Sequence, residues 1–560
     1  MVDRSGLKSL FSLESMVAVT PSQDLLTHYV QWHRRRLAEA LRRFRCEHSG
    51  RDAMVLAFLF ARHWLVREVH PRYRTQVAAV MESSGYPVLM DWAFDVSDAD
   101  WIDQIGHQLA AMDLLTDGER TARDMGAVWR GLGLFATTTR DAVRHGGRVE
   151  KKVMEELGGP QDRRRMALVD ALEERDAPVL SWDKMAFIPR MACPQSCRHC
   201  MFIWRPPLKN LPDYKPLFAT INRQTTNLLF TGGDVTKDLD LFYDAIATMD
   251  RVETFAILLN GQLARSQGEA DALFVRLHHA LGQRPSSFAG ARVVVQISCD
   301  EYHQEILANR HGALAERIPV AHCARLIIAG AGSSQCQVAL VHKQNSLNFS
   351  TQLFQKGVMG RLLAELKSRN WNVDGIQWHT SPRPKEHPSQ PGSRHGVICE
   401  AMIALVGPGS SATMVHFVSS CIEPQGRAET LDRSEYVHEK LVLQEWLAGY
   451  PSRMDPFDRD PMVWRNGHVT VFGAIHLWMG NYFEEGMRVF SRLQKDPLLR
   501  ALQNFDLALI GAYRAYDPER HRQIMQTAVS PHGVLHAITR EAEARLFLTQ
   551  WLLEHGAGCS

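Results

Sequence analysis

An excess of charge of one sign is the first thing missing. In 560 residues, 64 Lys and Arg stand against 62 Asp and Glu, a formal net charge of only +2. No global field draws such a chain to nucleic acid or to an anionic membrane, so neither is expected as a partner. A long apolar run is missing as well. The most apolar stretch, 54–66, is interrupted by Arg62 and His63 and is too short to span a bilayer, so a buried helix is expected there. The first 25 residues scatter Asp3, Arg4, Lys8 and Glu14 among apolar ones and do not read as a secretory signal. Cysteine is scarce too. Ten cysteines in a chain this long make no disulfide framework, and a reducing, cytoplasmic setting is the expectation. Internal repeats and low-complexity segments are absent.

What is there has the composition of an ordinary globular protein, 45% hydrophobic and 22% charged. The length exceeds one core, which predicts two or three domains. Residues 1–150 read as a mostly helical N-terminal domain, with apolar residues at helical spacing in Leu37, Leu41 and Phe44 and again in Val55, Phe58 and Leu59. Within it, residues 33–51 carry seven arginines, expected as the solvated side of a helix. A polar connector at 146–165 contains Gly158-Gly159-Pro160, a structure breaker.

From about residue 180 to 385 short apolar runs alternate with helical stretches, the pattern of βα units. Strands are expected at 185–189, 227–230, 254–259, 292–298, 338–342 and 375–379. Helices are expected at 239–249, 269–281, 303–309 and 352–369. This predicts an α/β fold with a parallel sheet, open or curved into a partial barrel, whose chemistry gathers at the strand ends. Residues 386–560 read as a small α+β C-terminal extension. It opens on a loop at 387–392 and is helical from about Tyr482 onward.

Seven of the cysteines are scattered; three are bunched in Cys193-Pro194-Gln195-Ser196-Cys197-Arg198-His199-Cys200, just after the expected strand Ala186-Phe187-Ile188-Pro189. Three thiolates in one short loop are soft ligands for iron or zinc. A structural zinc site closes with four ligands, which here requires His199 or a distant residue. Three thiolates alone leave one iron of a cubane cluster without a protein ligand.

The spacing C-x-x-x-C-x-x-C after a first strand resembles the hallmark of the radical S-adenosylmethionine (SAM) superfamily. Three further segments are similar to that family's strand ends. Leu228-Leu229-Phe230-Thr231-Gly232-Gly233-Asp234 runs into a Gly-Gly-acid turn; Leu258-Leu259-Asn260-Gly261 is the second; Val295-Gln296-Ile297-Ser298-Cys299-Asp300 ends in S-x-D. The resemblance implies a partial (βα)6 barrel, with Cys193, Cys197 and Cys200 ligating a [4Fe-4S] cluster. It also implies that Gly232, Gly233, Asp234, Ser298 and Asp300 position S-adenosyl-L-methionine, with the ring of His199 against the adenine. Glycine admits close backbone approach and the acid faces the methionine ammonium. Ser298 and Asp300 lie on one side of an extended segment, and Asp300 also reads as a helix N-cap.

Toward the C-terminus, Pro424-Gln425-Gly426-Arg427-Ala428, the segment 466–473 and Gly480-Asn481-Tyr482 resemble the SPASM/Twitch extension of peptide-modifying members. Phe472 stands where that extension has a cysteine, so its shape is expected without an auxiliary cluster. The implied activity is hydrogen abstraction from a peptide or natural-product precursor, with a flavodoxin- or ferredoxin-like reductant. A free small metabolite as substrate, or a non-catalytic metal-stabilised binding protein, are the alternatives. A cobalamin-dependent methyltransferase is disfavoured, because no strand alternation precedes the barrel.

Overall fold

The computed structural model describes residues 158–172 and, with short gaps, 182–555. The expected helical N-terminal domain, its arginine-rich stretch, Cys46 and Cys559 lie outside the described residues. The Gly158-Gly159-Pro160 breaker is a helix start. Gly158 sits at φ +71° and Pro160 opens helix α1 (Pro160–Asp170), where a missing N–H costs nothing.

The chain then alternates strand and helix. In order come β1 (Met185–Ile188), α2 (Lys215–Gln224), β2 (Asn227–Phe230), α3 (Leu239–Thr248), β3 (Thr254–Leu259), α4 (Gln267–Gly282) and β4 (Arg292–Ser298). A hairpin of β5 (Ile306–Ala308) and β6 (Leu314–Glu316) precedes α5 (Val320–Gly330), β7 (Cys336–Gln344) and α6 (Gly357–Ser368). Next are β8 (Asn372–Thr380), a second hairpin of β9 (Lys385–His387) and β10 (Gln390–His395), then β11 (Ile398–Val406), β12 (Thr413–Cys421) and α7 (Lys440–Leu447). The short strands β13 (Pro461–Trp464), β14 (His468–Val471) and β15 (Gly480–Asn481) lead into α8 (Tyr482–Glu485) and six further helices, ending with α14 (Ala542–His555).

One eleven-stranded sheet unites the fold, in the order β15-β14-β13-β1-β2-β3-β4-β7-β12-β11-β8. Strands β13 through β12 in that row run parallel, and antiparallel strands flank them on both sides. From β1 to β12 the parallel strands follow chain order. The fully buried apolar side chains of β3 and β4, Phe255, Ile257, Leu259, Val293, Val295 and Ile297, join the same core as Phe242 of α3, Leu277 of α4, Leu326 of α5 and Leu362 of α6. Right-handed crossovers put successive helices on one face when strands follow in order. The opposite face carries half-exposed residues on β3, β4 and β7 and exposed ones on β12, among them Met414 and Val418.

Three expectations need correction. The segment 375–379 does form a strand, but β8 is antiparallel, lies at the sheet edge beyond β11, and is largely exposed. The place beside β7 is taken by β12, whose Val415, Phe417 and Ser419 bury one face. An amphipathic period marks which residues face the core, and it is silent about which neighbour a strand finds. The helix expected at 303–309 is a turn followed by β5. Of the loop expected at 387–392, His387 ends β9 and residues 390–392 open β10. The segment after residue 385 supplies β11, β12 and β13 to the same sheet that holds β1.

Buried ion pairs tie α1 to the C-terminal helices. Arg545 donates to Asp162 at 2.8 Å, with side chains 2% and 0% exposed, and Arg165 pairs with Asp496. Removing one partner strands a buried charge, whereas an apolar pair of similar volume does not. Asp162→Ala is therefore expected to lower stability by about 3–5 kcal/mol in urea denaturation. The double variant Asp162→Leu/Arg545→Met is expected to recover most of that loss.

Candidate functional site

The loop after β1 is where the strand ends meet. Its first residues are held by the turn after β2: Gly233 N–H donates to Arg190 C=O at 2.8 Å and Asp234 N–H to Ala192 C=O at 3.0 Å. A Cβ at residue 232 would lie 2.6 Å from the Arg190 oxygen, and one at 233 would lie 2.5 Å from the Ala192 oxygen. Gly232 also sits at φ +130°. The glycine pair therefore lets two backbones touch directly upstream of Cys193. Asp234 is buried, and its Oδ1 accepts from the Thr236 hydroxyl at 2.6 Å and from the Thr236 N–H at 3.3 Å, capping the turn.

The same loop is tied to the other strand ends. Gln195 donates to the Gln262 side chain in the turn after β3. There Asn260 accepts from Gln262 N–H and Gly261 takes φ +85°. Arg198 pairs with Glu435 at 2.8 Å and lies over the Tyr302 ring. After β12, Arg427 N–H donates to Cys200 C=O at 2.9 Å. Gly426, at φ +63°, packs so closely that a Cβ there would come 2.1 Å from the Met201 oxygen. The Pro424–Ala428 element thus reaches the cysteine loop.

Cys193, Cys197 and Cys200 are free thiols, Cys197 buried and the other two half-buried. Burial pushes the Cys193 thiol up to about 12, opposed by the Gln195 backbone and Arg427 and reinforced by Cys200 and Asp234. Burial pushes Cys197 up further, with Arg317 and Arg427 pulling against it. By themselves Cys193 and Cys197 therefore resist ionisation. A metal centre is what makes such groups thiolates.

Asp300 is the hub beyond β4. Its Oδ1 accepts from the N–H groups of Tyr302 at 3.0 Å and His303 at 2.9 Å, which is the N-cap role. Its Oδ2 lies 2.9 Å from His303 Nδ1 and 3.2 Å from His199 Nε2. Burial pushes this carboxyl up, but the two histidines outweigh it and hold it well below the usual carboxylate range. The His199 ring stacks on Tyr302, centroids 4.7 Å apart, and meets His303 edge-on. Burial pushes His199 down against the pull of Asp300. Ser298 is buried, and its carbonyl accepts from Gln304.

The structure thus brings His199 and Asp300 into contact and sets Gly232, Gly233 and Asp234 against the loop that carries the cysteines. The resemblance assigns Asp300 to the cofactor, whereas here both its oxygens are engaged within the protein. Tyr302 and His303 directly follow the S-x-D end of the fourth strand but were given no role from sequence, and Arg317 was not singled out there. His379 lies on the exposed edge strand β8. His342, on β7, is fully buried, with Nδ1 3.1 Å from Ser419 Oγ and Nε2 without a hydrogen-bond partner. Phe472 packs beside the β1–β13 cluster, with Lys184 over its ring.

Burial pushes His342 down to about 4 from an ordinary 6.5. The unfolded chain therefore binds a proton first as pH falls, so this residue's contribution is present above pH ~6.5 and is lost as pH drops toward 4. Wild-type protein is expected to lose on the order of 2–3 kcal/mol through that window at this site. The loss should shrink in His342→Gln, measured by urea denaturation at stepped pH. In Gly426→Ala the added methyl must displace the Cys200–Met201 backbone. Faster labelling of Cys193 and Cys200 by a thiol reagent is expected, with the circular dichroism of the folded protein retained. Compared with known proteins, no family model matches the chain and no curated protein matches it, so the functional reading rests on the geometry of these strand ends.

Proposed function

We propose that this chain is a radical S-adenosylmethionine enzyme whose [4Fe-4S] cluster is held by Cys193, Cys197 and Cys200. The observation that carries the reading is the position of the three-thiol loop. It leaves the first of a row of parallel strands in chain order and touches the ends of the second, third, fourth and last of them. With the helices packed on one face, the free face of such a sheet suits the inner wall of a partial barrel.

The donor set fits a cluster. Three soft thiols and no hard oxygen ligand share the loop. His199 turns to Asp300, which disfavours it as the fourth ligand of a zinc site.

When bound, the cluster supplies the single electron for reductive cleavage of S-adenosylmethionine, which leads to hydrogen abstraction from the substrate. The chain's own part is positional. The three cysteines would hold the cluster and leave it one position for the cofactor. The Gly232-Gly233 turn packs on the backbone just before Cys193, and Asp234 adds negative charge beside Cys193, where a methionine ammonium would be accommodated. His199, fixed by Tyr302 and Asp300, closes one side of the loop and helps to exclude water. The free sheet face, with Leu258, Gln296, Val341 and Lys343 half-exposed, is the surface for a peptide or natural-product precursor. Electrons come from an external donor of the flavodoxin or ferredoxin type. Among the described residues no helix is long and apolar enough to cross a membrane.

Anaerobic reconstitution with iron and sulfide tests this reading. About four irons per chain are expected, lost in a Cys193/Cys197/Cys200→Ala variant, together with 5′-deoxyadenosine on reduction with S-adenosylmethionine present. A colourless protein holding one zinc would overturn it.

A further inference from the structure

We infer that His199, Asp300 and His303 form a second metal centre, a mononuclear site for a divalent transition-metal ion that uses none of the three thiols. The site goes beyond the cluster reading and does not depend on it. Its ligand atoms are His199 Nε2, Asp300 Oδ2 and His303 Nδ1, all within 4.8 Å of one another. The shared oxygen lies 3.2 Å from the first nitrogen and 2.9 Å from the second. Adjacent ligands of an octahedral ion with bonds of about 2.1 Å stand roughly 3.0 Å apart, close to both of these oxygen–nitrogen separations.

Asp300 is supported as a ligating carboxylate is, while His199 Nδ1 is buried without a hydrogen-bond partner among the described residues. Ligating carboxylates are commonly held by hydrogen bonds to the oxygen that does not bind. Here Asp300 Oδ1 accepts from two backbone N–H groups. His199 cannot swing away, because its ring lies flat on Tyr302 at an interplanar angle of 18°. The two halves come from different elements, the cysteine loop and the turn after β4. A donor set of two imidazoles and one carboxylate on one side of an ion leaves the opposite positions open, and suits Fe(II), Co(II) or Zn(II).

Asp300 is 1% exposed, and among the described residues its ion pairs are with the two histidines. A divalent ion held between these three side chains would add the positive charge that a buried carboxylate needs.

The test is a titration of Co(II) into the metal-free Cys193/Cys197/Cys200→Ala variant. One equivalent is expected to bind, giving d–d absorption with no thiolate-to-cobalt charge transfer. Asp300→Asn, which retains an acceptor for the Tyr302 and His303 N–H groups, should weaken binding at least about tenfold, and His303→Gln likewise. If the triple variant does not fold, the full chain with its thiols alkylated takes the same titration. No cobalt uptake, or uptake unchanged by Asp300→Asn and His303→Gln, would overturn the assignment even where the wild type forms its iron cluster. Uptake that depends on Asp300 and His303 in a protein that forms no cluster would uphold the site and defeat the cluster reading alone.

Discussion

Two carbonyls, those of Arg190 and Ala192, accept hydrogen bonds from the turn after β2, and the geometry of the strand ends depends on that approach. It requires two consecutive residues without a Cβ, because at either position the added carbon would sit inside the contact distance of a backbone oxygen. The contact fixes where the chain leaves β1, and so where Cys193 begins the loop. Every later tie acts on a segment whose start is already set. Gln195 reaches the third strand end, His199 the fourth, and the backbone of Cys200 the segment after β12.

The loop is thereby over-determined. A free stretch of eight residues with three thiols would sample many shapes, and ordering it on metal binding would cost conformational entropy. Here much of that cost is met in folding, by hydrogen bonds and packing that need no metal. The same ties raise the cost of leaving the thiols without one. Burial disfavours the thiolate, so protons and a soft cation compete for the same sulfurs.

Position in the sheet gives this loop its functional setting. Parallel strands in chain order send their helices to one face and their outgoing loops to one edge. The short turns after β2, β3 and β4 then face the start of the longer segment that follows β1. The antiparallel additions on both flanks widen the sheet but leave this edge intact. The buried Arg545–Asp162 and Arg165–Asp496 pairs act elsewhere, joining the start of the described chain to its C-terminal helices.

The sequence by itself determined the alternation of strand and helix through the middle of the chain, the clustering of three thiols after the first strand, and the glycine pair after the second. Each is local: period, spacing and the absence of a side chain are written in consecutive residues. The tertiary structure alone decided that β8 pairs antiparallel at the edge while β12 stands beside β7. It likewise brought Gly426 and Arg427 onto the cysteine loop, more than two hundred residues away in sequence, and turned Asp300 toward His199 and His303. The physical reason is the same in each case. An amphipathic pattern states that a face is to be buried, but not against what, and a carboxylate carries no mark of its partners until the chain has folded around it.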